Sequence, residues 1–112
     1  MDKRTLTSLA QQHYTDAQVE LLVQAIDYAT EQHAGQTRQS GEPYISHPLQ
    51  VAATLIDWGM DIDSVVAGVL HDTVEDTDAT LEEIAELFGK DVAFLVDGVT
   101  KVSQARAGMR NL

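Results

Sequence analysis

Cysteine is absent from this chain of 112 residues, and basic residues and long apolar runs are scarce. Without a thiol the protein has no disulfide framework, no zinc–thiolate site and no cysteine nucleophile. No apolar run approaches the roughly 18 residues that suggest a membrane helix. The segment Met1–Thr5 also lacks the apolar stretch of a signal peptide. We therefore expect a cytoplasmic protein that does not contact a membrane.

Positive charge is the second shortage. The chain has 7 basic and 18 acidic residues and a formal net charge of −11. A protein that binds duplex nucleic acid usually carries a basic stripe, and none is present, so we expect no direct nucleic-acid partner. A small anionic ligand would need a local device, such as a metal ion, a helix N-terminus or one well-placed arginine.

The composition and periodicity favour a single all-α domain. A hydrophobic content of 44% in 112 residues suffices for one compact domain and is too little for two. Two pairs, Thr15 with Gln18 and Thr80 with Glu83, have the spacing of a capping box that opens a helix. Residues 35–46 are polar and contain two glycines and a proline, which is typical of a loop. The expected helices run from Thr15 to near Gly35, from Pro48 to Gly59, from about Asp63 into His71 and Asp72, from Thr80 to Gly89, and over roughly Asp91–Val102.

The densest group of chemically active side chains is His71, Asp72, Glu75 and Asp76. Residues four apart share a helix face, so this group could place an imidazole and carboxylates together. Nitrogen and hard oxygen donors suit Mn²⁺, Fe²⁺ or Zn²⁺, and Glu75 with Asp76 could hold and deprotonate a water. The alternative is a solvated acidic helix end, which opposes the helix dipole. The pattern alone leaves both readings open.

Histidine and arginine elsewhere add candidates. We place His47 at an N-cap before Pro48; alone it reads as a capping or partly buried residue, but with His71 and Asp72 it completes a three-ligand set. His13 and His33 lie in polar stretches, and we expect both to be exposed. Arg38 lies in the loop, either solvated or stacked on a base or paired with a phosphate.

Four motifs in order resemble the Rel/SpoT-homologue family. Residues 38–48 (RQSGEPYISHP) are similar to its RxSGEPYxxHP signature, and residues 70–77 (LHDTVEDT) to its LLHDxVEDT motif. Residues 88–92 (FGKDV) and 96–101 (VDGVTK) are similar to the run FGxxVAxLVDGVTK that follows. The similarity covers about residues 20–103.

This resemblance implies an all-α HD-domain helical bundle and a metal-dependent hydrolase. It places His47, His71 and Asp72 on three of four metal-ligand positions, with Mn²⁺ as the usual metal. It places Glu75 and Asp76 on the acidic pair that activates water, and Arg38 on the residue that packs against guanine. The implied reaction of the stringent response removes the 3′-pyrophosphate of ppGpp or pppGpp and gives GDP or GTP.

Three departures from the family pattern qualify this interpretation. Gln39 stands where the family often has lysine, the fourth ligand is an aspartate in a helix beyond this chain, and no synthetase domain is present. We therefore expect residues 1–112 to be a C-terminally truncated hydrolase domain with a weakened metal site and no activity by itself. The missing helix should expose part of a core formed by Val65, Val66, Val69 and Leu70, which would favour self-association.

Two other functions stay open at this stage. One is an HD-domain phosphohydrolase that acts on another nucleotide, which a panel of nucleotides would distinguish. The other is a non-catalytic regulatory module that binds a nucleotide without turnover, which metal analysis and an alarmone titration would distinguish.

Overall fold

The computed structural model describes residues 1–37 and 39–110. Over this part of the chain it contains seven α-helices and no strand, with one isolated antiparallel bridge between Thr37 and Pro43. The all-α prediction is therefore confirmed. The helices are α1 (Lys3–Gln11), α2 (Asp16–Gln32), α3 (Ser46–Asp57), α4 (Ile62–Leu70), α5 (Thr73–Asp76), α6 (Leu81–Phe88) and α7 (Lys90–Arg110).

Local sequence signals explain where two of these helices begin. Both capping boxes form, with the Thr15 and Thr80 side chains accepting from the backbone amides of Gln18 and Glu83. Each box satisfies amides that the first helical turn leaves without a partner. Gly89 then adopts a φ of 102° at the end of α6, a conformation that L side chains rarely adopt.

One helix and the ends of two others differ from the sequence predictions. The N-terminal helix α1 was not predicted, although the Asp2 side chain caps it by accepting from the Thr5 amide at 2.8 Å. The last helix runs to Arg110 instead of about Val102. Helix α4 ends at Leu70, and α5 begins at Thr73 after a break at His71 and Asp72.

Helix α4 is the centre of the bundle and contacts α2, α3 and α7. All residues of α4 from 65 to 70 are buried. The expectation that truncation would expose the apolar residues there was wrong, because Val65, Val66, Val69 and Leu70 are all 0% exposed. The neighbouring helices of this chain already cover them, and the large exposed apolar side chains of the described region, such as Trp58 and Phe94, lie elsewhere.

Close packing of α3 on α4 brings together the two helices that lead to the candidate site. A Cβ atom at Gly68 in α4 would lie 2.8 Å from the Leu55 Cδ1 atom in α3. The absence of a side chain at this position therefore permits the close approach. No described helix is long and apolar enough to cross a membrane.

Candidate metal centre and acidic pair

His47, His71 and Asp72 converge at one place. The three side chains each offer one ligand atom, and these atoms all lie within 4.8 Å of one another. His47 lies in the first turn of α3, and the other two residues form the break that follows α4. The His47 and His71 rings meet edge to face with centroids 6.0 Å apart. The structure therefore brings together the three ligands that the sequence suggested.

The capping role expected for His47 was wrong. The N-cap residue is Ile45, which makes no side-chain cap hydrogen bond, and His47 is the second residue of α3. The chain already turns before the helix, with the Ser46 and His47 amides donating to the carbonyls of Pro43 and Tyr44 at 3.2 Å. The imidazole is thus free of a capping bond to the helix and is half-buried beside His71. Pro48 lies in the first turn, as expected.

One backbone contact and one side-chain contact orient the His71 ring. Its Nδ1 atom lies 2.6 Å from the Gly68 carbonyl oxygen, and its Nε2 atom lies 3.1 Å from Asp72 Oδ1. A carbonyl can only accept, so Nδ1 carries the hydrogen there. In the neutral ring this tautomer leaves the Nε2 lone pair directed at the cluster, which is the usual arrangement of a metal-binding histidine.

Electrostatics differ between the two members of the His71–Asp72 pair. Burial disfavours a charged imidazole, but the Asp72 carboxylate and the Gly68 carbonyl outweigh it and raise the pKa of His71. Burial also disfavours a charged carboxylate, but hydrogen bonding and charge from His71, with smaller contributions from Tyr44 and His47, lower the pKa of Asp72. Without a metal, the pair is an ion pair below the folded pKa of His71.

This donor set fits a divalent metal ion. Two ligands bonded at about 2.1 Å to one ion lie up to roughly 4.2 Å apart, and the ligand atoms here all lie within 4.8 Å of one another. Two imidazole nitrogens and one carboxylate oxygen suit a divalent transition metal. The group offers three protein ligands among the residues that the structure describes.

Glu75 and Asp76 lie on α5, directly after the cluster, and both are exposed. The Asp76 amide donates to the Asp72 carbonyl at 2.9 Å, so the spacing of one helical turn survives the break. The Tyr44 hydroxyl lies 2.8 Å from Asp76 Oδ2 and 3.2 Å from Asp72 Oδ2. The two carboxylates therefore lie close enough together to contact the same hydroxyl. Glu75 helps to raise the pKa of His71, so its charge acts on the cluster.

No role was predicted for Tyr44, which lies in the polar loop. Burial, followed by its hydrogen bond to Asp76 and the charge of Asp72, raises the pKa of the Tyr44 hydroxyl well above its ordinary value of 10.0. The hydroxyl therefore stays protonated and acts as a donor to the carboxylates.

His33 was predicted to be exposed, and that prediction was wrong: it is 3% exposed. Its ring stacks on Tyr44 with centroids 4.7 Å apart, and its Nδ1 atom lies 3.0 Å from Gln36 Oε1. The loop folds back over the end of α2 and buries the imidazole, a contact between distant residues that local polarity does not reveal. His13 is exposed, as expected, and Arg38 lies outside the described residues.

Comparison with known proteins identifies the family. The HD domain model matches residues 25–111. A GTP pyrophosphokinase of Myxococcus xanthus is 51% identical over 96 residues, which cover 86% of this chain and 13% of that protein. The guanosine-3′,5′-bis(diphosphate) 3′-pyrophosphohydrolase of Aquifex aeolicus (strain VF5) is 50% identical over 94 residues, covering 84% and 13%.

Two further relatives point the same way. The bifunctional (p)ppGpp synthase/hydrolase SpoT of Escherichia coli (strain K12) is 44% identical over 102 residues, covering 91% of this chain and 14% of that protein. A solved metazoan orthologue of SpoT that hydrolyses ppGpp superposes with a TM-score of 0.68 at 36% identity, covering 77% of this chain and 49% of that one. The chain thus spans a small part, 13% to 14%, of these curated relatives. The predicted resemblance to the Rel/SpoT homologues is confirmed, and the chain belongs to the HD domain family.

Proposed function

We propose that this chain supplies the metal-binding and water-activating residues of a domain that hydrolyses the 3′-pyrophosphate of ppGpp or pppGpp with the help of a metal ion, giving GDP or GTP and pyrophosphate. The observation that carries the proposal is the convergence of His47, His71 and Asp72 within 4.8 Å, next to the exposed carboxylates of Glu75 and Asp76. Relatives named as 3′-pyrophosphohydrolases support the substrate. The stringent response and a cytoplasmic location belong to the same proposal.

In this proposal His47, His71 and Asp72 hold Mn²⁺. When bound, a divalent cation at such a site supplies Lewis acidity and positive charge near the phosphates. Positive charge has particular value in a protein of net charge −11 that accepts a polyanion. We propose Arg38 as the second local cation, which packs its planar guanidinium against the guanine base.

Glu75 and Asp76 would act as the general base that activates the water molecule. Their carboxylates accept the proton from a water molecule whose oxygen attacks the phosphorus attached to the ribose 3′ oxygen. The bond between that phosphorus and the 3′ oxygen breaks, the proton held by the carboxylates passes to the 3′ oxygen to restore the ribose hydroxyl, and pyrophosphate is released. The Tyr44 hydroxyl donates to Asp76 Oδ2 and leaves the other oxygen of Asp76 available for the water.

The test is a hydrolysis assay with ppGpp and Mn²⁺ that measures pyrophosphate release. We retain the prediction that residues 1–112 alone are inactive toward ppGpp, and we expect a version extended past Leu112 to release pyrophosphate. His71→Ala should abolish that activity, whereas His13→Ala, at an exposed histidine outside the cluster, should leave it unchanged.

Other outcomes of this assay identify other functions. Turnover of a different nucleotide in a panel, with ppGpp left intact, would contradict the proposed substrate and indicate another HD-domain phosphohydrolase. Binding of ppGpp without turnover by the extended protein would contradict catalysis and indicate a regulatory module.

A further inference from the structure

His71 and Asp72 each have a second polar atom with a partner of its own, and such partners help to hold a metal ligand in place. For His71 the partner is the Gly68 carbonyl, which fixes Nδ1. Asp72 presents Oδ1 to His71 Nε2, and its other oxygen, Oδ2, lies 3.2 Å from the Tyr44 hydroxyl. The Tyr44 hydroxyl therefore holds the second oxygen of Asp72, as the Gly68 carbonyl holds the second ring nitrogen of His71.

The Tyr44 hydroxyl also reaches a second carboxylate. It lies 2.8 Å from Asp76 Oδ2, the shorter of its two contacts. A hydroxyl has one hydrogen to donate, so two ionised carboxylates must share it. This sharing links the orientation of Asp72, a candidate ligand, to that of Asp76, a candidate acceptor of the water proton.

The loop holds Tyr44 in place through several independent contacts. The ring stacks on the buried His33. The Tyr44 amide donates to the Gln36 carbonyl at 3.1 Å, and the Gln36 side chain donates to the Asp76 carbonyl at 3.0 Å. The ring, the loop backbone and α5 are thus tied together, so the hydroxyl has little freedom to leave the carboxylates.

We infer that Tyr44 is a positioning residue whose hydroxyl holds Asp72 and Asp76 in register for metal binding and hydrolysis. It does not itself touch the metal or the substrate. The inference rests on the proposed function, because it requires Asp72 to be a ligand. Outer partners of metal ligands typically contribute about 10- to 100-fold to metal affinity. Since Tyr44 divides one hydrogen between two acceptors, we expect the lower end, about tenfold.

The experiment is a Mn²⁺ titration of the 112-residue chain, followed through the electron paramagnetic resonance signal of free Mn²⁺. Tyr44→Phe keeps the ring and its stack on His33 and removes only the hydroxyl. Tyr14→Phe is the matched control, because it also removes one hydroxyl hydrogen bond, from Tyr14 to the Met60 carbonyl at 2.5 Å, but outside the cluster. Thermal melting by circular dichroism accompanies each titration.

We expect Tyr44→Phe to weaken Mn²⁺ binding about tenfold. Its melting temperature should be no lower than that of Tyr14→Phe. The Mn²⁺ affinity of Tyr14→Phe should match that of the wild type. Equal Mn²⁺ affinity of Tyr44→Phe and wild type would overturn the positioning role and leave the proposed function intact. The alternative result is that Tyr44→Phe loses Mn²⁺ affinity and also melts at a lower temperature than Tyr14→Phe. That result would show that Tyr44 stabilises the fold, and it would also overturn the positioning role. Because the site of residues 1–112 is expected to be weak, the titration is repeated in the extended protein of the hydrolysis assay. If that protein binds no Mn²⁺ either, the metal site of the proposed function fails and the inference fails with it.

Discussion

Replacing Thr73 with valine tests what holds the break between α4 and α5, which sets the relative orientation of His71 and Asp72. Thr73 is fully buried, and its hydroxyl donates to the Leu70 carbonyl at 2.7 Å. Valine has nearly the same shape and a similar helix propensity, so the substitution removes one donor and little else. The Leu70 carbonyl at the end of α4 then loses that partner inside the protein.

The cost follows from this environment. A typical hydrogen bond contributes about 0.5–1.5 kcal/mol to stability, and a buried acceptor left without a partner costs about 1–3 kcal/mol. We therefore expect Thr73→Val to lower the free energy of unfolding by about 2 kcal/mol. For a domain of this size each kcal/mol shifts the melting temperature by roughly 4 °C, so the expected drop is about 8 °C.

Thermal unfolding followed by circular dichroism measures the effect, with Thr54→Val as the matched control. The Thr54 hydroxyl donates to the Gln50 carbonyl at 3.2 Å, within the continuous helix α3 and on a half-buried side chain. Its loss should cost no more than about 0.5 kcal/mol. If both valine variants melt at the same temperature, the Thr73 hydroxyl does not hold the break and the reasoning is refuted.

Three further predictions concern the chemistry. The pKa of His71 is raised above its ordinary value of 6.5. The ion pair of His71 with Asp72 therefore stabilises the metal-free fold fully below pH 6.5, and this stabilisation is lost as the pH rises through the pKa of the folded state. Because Mn²⁺ binds the neutral ring, Mn²⁺ affinity should increase as the pH rises through the pKa of His71. Calorimetry on either side of this pKa measures the affinity, and a constant value would contradict His71 as a ligand. In an active extended protein, Glu75→Gln should abolish turnover and leave ppGpp affinity nearly unchanged, with Glu20→Gln on α2 as the control; near wild-type turnover would remove Glu75 from the mechanism. Arg38→Ala should raise the KM for ppGpp about tenfold or more with the metal retained, and Arg38→Lys should restore little of it, since lysine lacks the planar guanidinium; an unchanged KM would show that Arg38 is an ordinary surface residue.

Several features could be read from the sequence, either because they depend on residues a few positions apart or because ordered motifs resemble a known family. The capping boxes at Thr15 and Thr80 use bonds that span three residues, so the starts of α2 and α6 were predictable. The helical periodicity of the apolar residues likewise predicted an all-α fold. The ordered motifs pointed to His47, His71 and Asp72 as one set, and the fold places them within 4.8 Å.

Other features depended on contacts between residues far apart in the chain. His33 lies in a polar stretch, yet it is buried because Tyr44 and the loop fold over it. The Tyr44 hydroxyl meets Asp72 and Asp76 across 28 and 32 residues, a proximity that no spacing rule predicts.

The sequence by itself thus determined the helical class and two helix starts, because local hydrogen bonds and periodicity act within a helical turn or two. The identity of the candidate ligands came from the motifs that resemble the Rel/SpoT homologues. Only the tertiary structure decided how those ligands are oriented. The lack of a side chain at Gly68 lets α3 approach α4 closely, and the buried Thr73 hydroxyl donates to the Leu70 carbonyl at the break. Both depend on which helices pack together, and packing depends on the burial of apolar surface across the whole chain, which no short segment encodes.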